Sequence, residues 1–334
     1  MKQISIILIS ILLIFAITGC SVEKGTEKSD TTETQLANAF EEDASLLRES
    51  SGQIGFGYLF PPEDGYVYDS TEVSIPYYIE NMGKENETNA KVGLMFFVDG
   101  EVQPCSIFDN DELSAENTFH YFSLAPGERV EFDVKFKPIS GTIGEEIGVI
   151  PAVIWNPNYM PANSGSIRFG NCYSLSTNIP LTIKMEQDGM NNHTPSSLQY
   201  EIMDIPEAIM LSLENVYANE SYDILNESVG FEIETENNIL LAKNGKVDIT
   251  INLYGGKQVK DKITIFINNQ PIEISGGDYI EVNTQNGKMC KVQATIDVSH
   301  LESDSVLYAV VMTTENDYVI QDIFMTQPVL IDIK

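Results

Sequence analysis

Basic residues are scarce in this chain. Lys and Arg number 19 against 50 Asp and Glu, for a formal charge of -31. A surface of that sign repels polyanions, which excludes nucleic-acid binding and any electrostatic attachment to anionic headgroups. Histidine is nearly as rare. His120, His193 and His300 are the whole complement, and no two lie at metal-ligand spacing. Cys-x-x-Cys, His-Glu-x-x-His, Gly-x-Ser-x-Gly and phosphate-cradling glycine loops are all missing, so the sequence offers no zinc ribbon, metalloprotease, serine hydrolase or nucleotide site. Carboxylates are so abundant that some pair always exists, and abundance alone does not make a hydrolytic dyad, which needs a set separation across a cleft. Apolar runs are short as well: the longest falls below the roughly 20 residues that span a bilayer.

That longest run is nonetheless informative. After Lys2, residues 4–17 are apolar except for Ser5 and Ser10, and the segment ends Ile17-Thr18-Gly19-Cys20. A positive start, a short apolar stretch and small residues are the layout of a secretory signal. Its end resembles the lipobox of bacterial lipoproteins: an aliphatic residue, two small residues, then cysteine. The resemblance implies that residues 1–19 are removed, that Cys20 carries lipid as the new N-terminus, and that the protein sits lipid-anchored on the outer face of a bacterial cell membrane. Three cysteines then remain, and an odd number cannot all pair within the chain. Cys105 and Cys172 are candidates for a disulfide, which export permits. The alternative is three buried small hydrophobes.

Residues 20–51 read as a lipidated cysteine followed by an acidic tether. Residues 21–34 are almost all Glu, Lys, Ser, Thr and Asp and cannot bury enough surface to fold. Leu36, Phe40 and Leu47 allow a short, marginal helix further on. Beyond residue 52 the pattern is β. Ile54, Phe56, Tyr58 and Phe60 alternate with small or polar residues, and so do Val73, Ile75, Tyr77 and Ile79. Residues 91–98 are more continuously apolar, as expected of a strand covered on both faces or lying beside another domain, and run into the turn pair Asp99-Gly100. Val130, Phe132, Val134 and Phe136 alternate with charged residues, a period of two that no helix can use. Residues 187–199 are polar and turn-rich and read as a linker. Residues 205–218 fit a helix or a strand. From Val229 the alternation resumes in several strands to Ile333.

The strand at 73–81, the Val98-Asp99-Gly100 turn and Leu124-Ala125-Pro126-Gly127-Glu128 feeding an alternating strand resemble bacterial immunoglobulin-like, adhesion-type modules. The resemblance spans about residues 65–185 and implies a β-sandwich. The expected architecture is all-β: two tandem immunoglobulin-like sandwiches, at 52–186 and 200–334, behind a cleaved signal and a disordered tether, with no convincing residue-level repeat between them.

Candidate sites are few. Trp155, the only tryptophan, and Tyr159 flank amides and prolines in a loop, an arrangement suited to stacking on sugars or peptides; the alternative is that Trp155 closes a strand and packs inside. Asp109, Asp111 and Glu112 are weak metal candidates, since the loop lacks the glycine and terminal glutamate of a calcium-binding hand, and an acidic surface loop is the competing reading. No cofactor is implied. The expectation is a non-enzymatic binding, adhesion or scaffold module whose partners are the membrane, through its lipid, and a cell-wall or extracellular glycan or protein. The alternative is a glycan-active surface protein with an inter-domain cleft lined by Trp155 and paired carboxylates.

Overall fold

A computed structural model describes residues 54–333 except 70–71, 85–87, 161–171, 175–178, 187–188, 208, 211–228, 236–237, 256–259 and 314–322. The signal, Cys20 and the tether lie outside the described residues. In chain order the strands of the first half are β1 Ile54–Tyr58, β2 Tyr66–Tyr68, β3 Val73–Asn81, β4 Ala90–Val98, β5 Glu101–Gln103, β6 Ser106–Asp109, β7 Glu112–Leu113, β8 His120–Leu124, β9 Arg129–Phe136, β10 Glu146–Trp155, β11 Cys172–Ser174 and β12 Ile179–Ile183. The second half has β13 Tyr200–Asp204, β14 Val229–Ile233, β15 Ile239–Leu241, β16 Lys246–Gly255, β17 Lys260–Ile267, β18 Gln270–Pro271, β19 Ile280–Asn283, β20 Lys288–Asp297, β21 Ser305–Thr313, β22 Ile323–Met325 and β23 Val329–Asp332. The all-β expectation holds. The ambiguous segment opens a helical turn, where Pro206 O accepts from Met210 N at 3.1 Å; 211–228 fall outside the described residues.

The strands make four sheets. An outer sheet in the order β1-β3-β9-β6-β7 faces an inner sheet, β2-β12-β10-β4-β5, with β8 added on β4 and β11 on β10. A second inner sheet, β15-β23-β21-β17-β18, with β19 on β17 and β22 on β21, faces a second outer sheet, β13-β20-β16-β14. The inner sheets are topologically identical, strand for strand. In each half one strand also pairs antiparallel in the outer sheet (β1, β14) and the next crosses to pair parallel with the last strand (β2 with β12, β15 with β23); the second half has β13 ahead of this unit. A repeat absent from the residues is therefore present in the topology. A period-two pattern specifies which face is buried but not which apolar residue fills it, so one strand order accommodates two different sets of residues.

Three apolar layers separate the four sheets. Tyr77, Phe96, Phe132, Val134 and Val149 belong to the first, between outer and inner sheets. Ile251, Ile265, Val292, Ala309 and Ile331 belong to its counterpart in the second half. The third layer lies between the inner sheets and draws on both halves: Met95, Phe97, Phe119, Ile150 and Ile154 on one side, Phe266, Tyr308, Val310 and Met312 on the other. β4 alternates accordingly, with Val92, Leu94, Phe96 and Val98 toward its own sandwich and Met95 and Phe97 toward the seam. The continuous apolar run at 91–98 is thus a strand covered on both faces, as expected. The same argument explains 306–312 in β21.

Turn chemistry follows the residues closely. Asp99-Gly100 and Asn268-Asn269 both carry positive φ at both positions, the requirement of the two-residue turns joining β4 to β5 and β17 to β18. Pro126-Gly127, with Gly127 at φ 75, closes on a Glu128 N to Ala125 O hydrogen bond of 2.9 Å, a type II turn. Phe60 departs from expectation. It does not extend β1; the chain turns at φ 50 and leaves the ring 94% exposed.

Candidate functional site at the seam

Charged groups converge where the two inner sheets meet. The tight turn after β4 presents Asp99, and β5 begins with Glu101, only 5% exposed. From β17 of the other half, Lys262, also buried, donates to Asp99 O (2.9 Å), Asp99 Oδ2 (3.1 Å) and Glu101 Oε1 (2.7 Å). Its ammonium stands 4.9 Å from the Tyr279 ring centroid. Ser140 donates to Asp99 Oδ2 at 3.1 Å. The second carboxylate oxygen of Glu101 is buried without a well-formed hydrogen bond; its neighbour is His193 Nδ1 at 3.3 Å.

Burial works against the ammonium of Lys262, yet Asp99 and Glu101 more than offset it and hold its pKa above the ordinary value. Burial pushes the Asp99 carboxyl up, with Lys262 pulling it back. Three hydrogen bonds to two acidic residues hold Lys262 as the ammonium.

The segment read as a linker is a strap bonded to both halves. Asn191 N donates to Ile139 O at 2.6 Å, and Asn191 Oδ1 accepts from Gly141 N at 3.0 Å. Thr194 N donates to Asp278 Oδ2 (2.9 Å), Asp278 N to Thr194 O (2.9 Å) and Ser196 N to Tyr279 O (2.7 Å). The fit against Gly277 is close: a Cβ there would lie 2.2 Å from Ser196 N. Beside His193 a cavity of about 190 Å³ is lined by Glu101, Thr264, Glu273, Asp278 and Tyr279.

The far end of the seam has a neutral counterpart. Asn269, in the β17–β18 turn, donates to Tyr121 OH (3.1 Å) and Pro157 O (2.8 Å) and accepts from Tyr308 OH (3.1 Å). The turn of each half thus grips the other half's inner sheet, at opposite ends of an antiparallel β4 and β17. This is a pseudo-twofold arrangement, with Lys262 breaking the symmetry. Apolar burial at about 1.5–3 kcal/mol per large side chain supplies most of the seam's stability. The polar clamps set its register.

Trp155 and Tyr159 lie toward the Asn269 end. Trp155 closes β10, opposite Val92, and is half-buried. At about 3.3 Å per residue, the seven positions from Val92 to Asp99 put the acidic cluster roughly 23 Å from it. The Asp99 and Glu101 carboxylates therefore do not share a cleft with Trp155. Asp109 and Glu112 are the ends of a hairpin whose turn, Asn110-Asp111, has φ of 48° and 65°. Among the described residues no three His, Cys, Asp or Glu side chains are grouped to hold a metal.

Cys105 is a free, buried thiol; the side chain of Cys172 lies outside the described residues. Cys105 Sγ is 3.5 Å from His120 Nε2, which also approaches Cys105 O at 2.9 Å. Burial pushes the thiol up to about 12 and the imidazole down. A cysteine nucleophile needs the opposite shift. Sequence reasoning missed Asp99, Glu101 and Lys262. A Lys-Asp-Lys start to a strand that is mainly apolar beyond it, and the acid following a turn, were the available signals.

No family model matches the chain, and no curated protein matches it. Among solved structures, it is similar to the CsuC–CsuE chaperone–tip adhesion subunit complex of Acinetobacter baumannii, at 13% identity over 82% of this chain and 98% of that one, with a TM-score of 0.22. It is also similar to the Salmonella enterica SafA pilin–SafB chaperone complex (10%, 84% and 96%, TM-score 0.22) and a Porphyromonas gingivalis protein of unknown function (10%, 84% and 99%, TM-score 0.22). Similarity at this level fixes neither topology nor function.

Proposed function

We propose that this chain is a lipid-anchored extracytoplasmic binding or scaffold module without catalytic activity. The observation that carries the reading is the seam. An apolar layer with a clamp at each end ties the two sandwiches into one body. Such a body holds its outer sheets and loops at a fixed spacing, the property of a presenting scaffold; a hydrolase acting between domains needs an open cleft instead. The lipobox pattern and acidic tether support a module held away from a membrane through lipid on Cys20. The boundaries 52–186 and 200–334 belong to the same proposal, as does the partner class, a cell-wall or extracellular glycan or protein. The test has two arms. Cys20→Ser should move the full chain from the detergent-extracted to the soluble fraction, or leave it unprocessed. The full chain, screened against cell-wall glycans and surface proteins, should bind saturably and leave its ligand intact. A Cys20→Ser chain that is still processed and membrane-bound would overturn the anchor, and release of new reducing ends from any glycan would overturn the non-enzymatic reading.

A further inference from the structure

Three parts of the chain meet at His193. The strap carries it, β5 supplies Glu101, and the turn before β19 supplies Asp278 and Tyr279. We propose that His193 is a pH-operated latch, whose protonation fastens the strap across the seam and whose deprotonation loosens it.

Among the described residues, the charges around it come from a few elements. Facing His193 are Glu101 from β5, Lys262 from β17, Asp278 and Tyr279 from the turn before β19, and Glu273 from the wall of the shared cavity, with Asp99, from the turn after β4, bonded to the same Lys262. In the buried core of this group one ammonium, Lys262, serves two carboxylates, Asp99 and Glu101. A neutral imidazole leaves that core with an excess negative charge, and the Oε2 atom of Glu101 with only a weak contact. Protonation balances the charge and converts the 3.3 Å contact into a charge-assisted one. The 3.3 Å approach of Glu101 is the chief influence raising the His193 pKa; burial opposes it, and Asp278 adds to the rise. A folded-state pKa above the unfolded value of about 6.5 means that the latch contributes fully below that value, and that its contribution is lost as pH rises through the folded one.

Only the strap depends on this contact, because the apolar layer and Lys262 hold the sheets themselves. The opening is therefore local. Its reporters are the amides of Thr194 and Ser196, which donate to Asp278 Oδ2 and Tyr279 O. Their hydrogen exchange is measured in the full-length chain in detergent at about pH 5.5 and about pH 8, either side of the ordinary histidine range, with intrinsic exchange rates divided out. Protection at both amides should be severalfold greater at the lower pH. Amides of β9 should not change. His193→Gln should remove the pH dependence, and His193→Lys, charged throughout, should keep the amides protected at both pH values. Equal protection at both pH values in the wild-type chain, or an unchanged dependence in His193→Gln, would overturn the latch.

Discussion

Replacing Lys262 with methionine tests what the ion cluster does. The side chain is 7% exposed and Glu101 5%, so bulk water does little to screen either. Methionine preserves most of the stem's volume and its packing against the seam, and deletes the ammonium with its hydrogen bonds to Asp99 O, Asp99 Oδ2 and Glu101 Oε1. Glu101 is then a buried carboxylate with no cation on Oε1, next to Asp99. Breaking a buried pair from one side costs about 3–5 kcal/mol, because the remaining charge stays desolvated. Lys262→Met should therefore lose about that much in urea denaturation. Because the cluster joins the two halves, the single transition should also split or broaden, as the less stable half, no longer clamped to the other, melts first. Adding Glu101→Gln removes the stranded charge and should recover most of the loss, a non-additivity that only direct contact produces. A Lys262→Met cost of about 0–1 kcal/mol, the size of a surface ion pair, with no gain from the second substitution, would refute the argument.

Phe132 lies in β9 between outer and inner sheets, its ring 5.1 Å from that of Phe122; Phe132→Ala should cost about 3–5 kcal/mol, whereas Glu131→Ala on the solvent face should stay within about 0.5, and equal losses in denaturation would mean the register is wrong. Gly277→Ala puts a Cβ 2.2 Å from the backbone of Ser196, so the strap must lift; Ser196 should lose amide protection while β17 keeps its own. Cys105 and Cys290, with pKa values raised by burial to about 12 and about 11, should resist alkylation at about pH 8 in the native chain and react once unfolded, read by peptide mass mapping. A fragment of residues 52–186 exposes Met95, Phe97, Ile150 and Ile154, all buried in the seam, and should self-associate in analytical ultracentrifugation while the full chain does not.

Strand identity was legible wherever one face met solvent. β3, β9 and β20 alternate residue by residue, and a period of two leaves no other conformation. Turns were legible where a position demanded positive φ: Asp99-Gly100, Pro126-Gly127 and Asn268-Asn269 name their own geometry. Even the double burial of β4 showed, because a strand without a polar face must be covered twice. Short strands did not show. β2, β6, β7 and β15 are too brief to display a period, and their neighbours define them through hydrogen bonds.

The site belongs to the tertiary structure. Asp99 and Lys262 are 163 positions apart, and nothing local to either marks the other as its partner. Among 50 acidic residues Glu101 is anonymous until packing removes water from it. His193 shows the same limit: in sequence it is a polar residue in a polar linker, and only the bonds from that linker to both halves place it on a buried carboxylate. A sequence fixes periodicity and backbone preference because these act between neighbours along the chain. Which faces meet, which charge loses its water and which loop becomes a strap depend on contacts distant in sequence, and those exist only once the sheets have stacked.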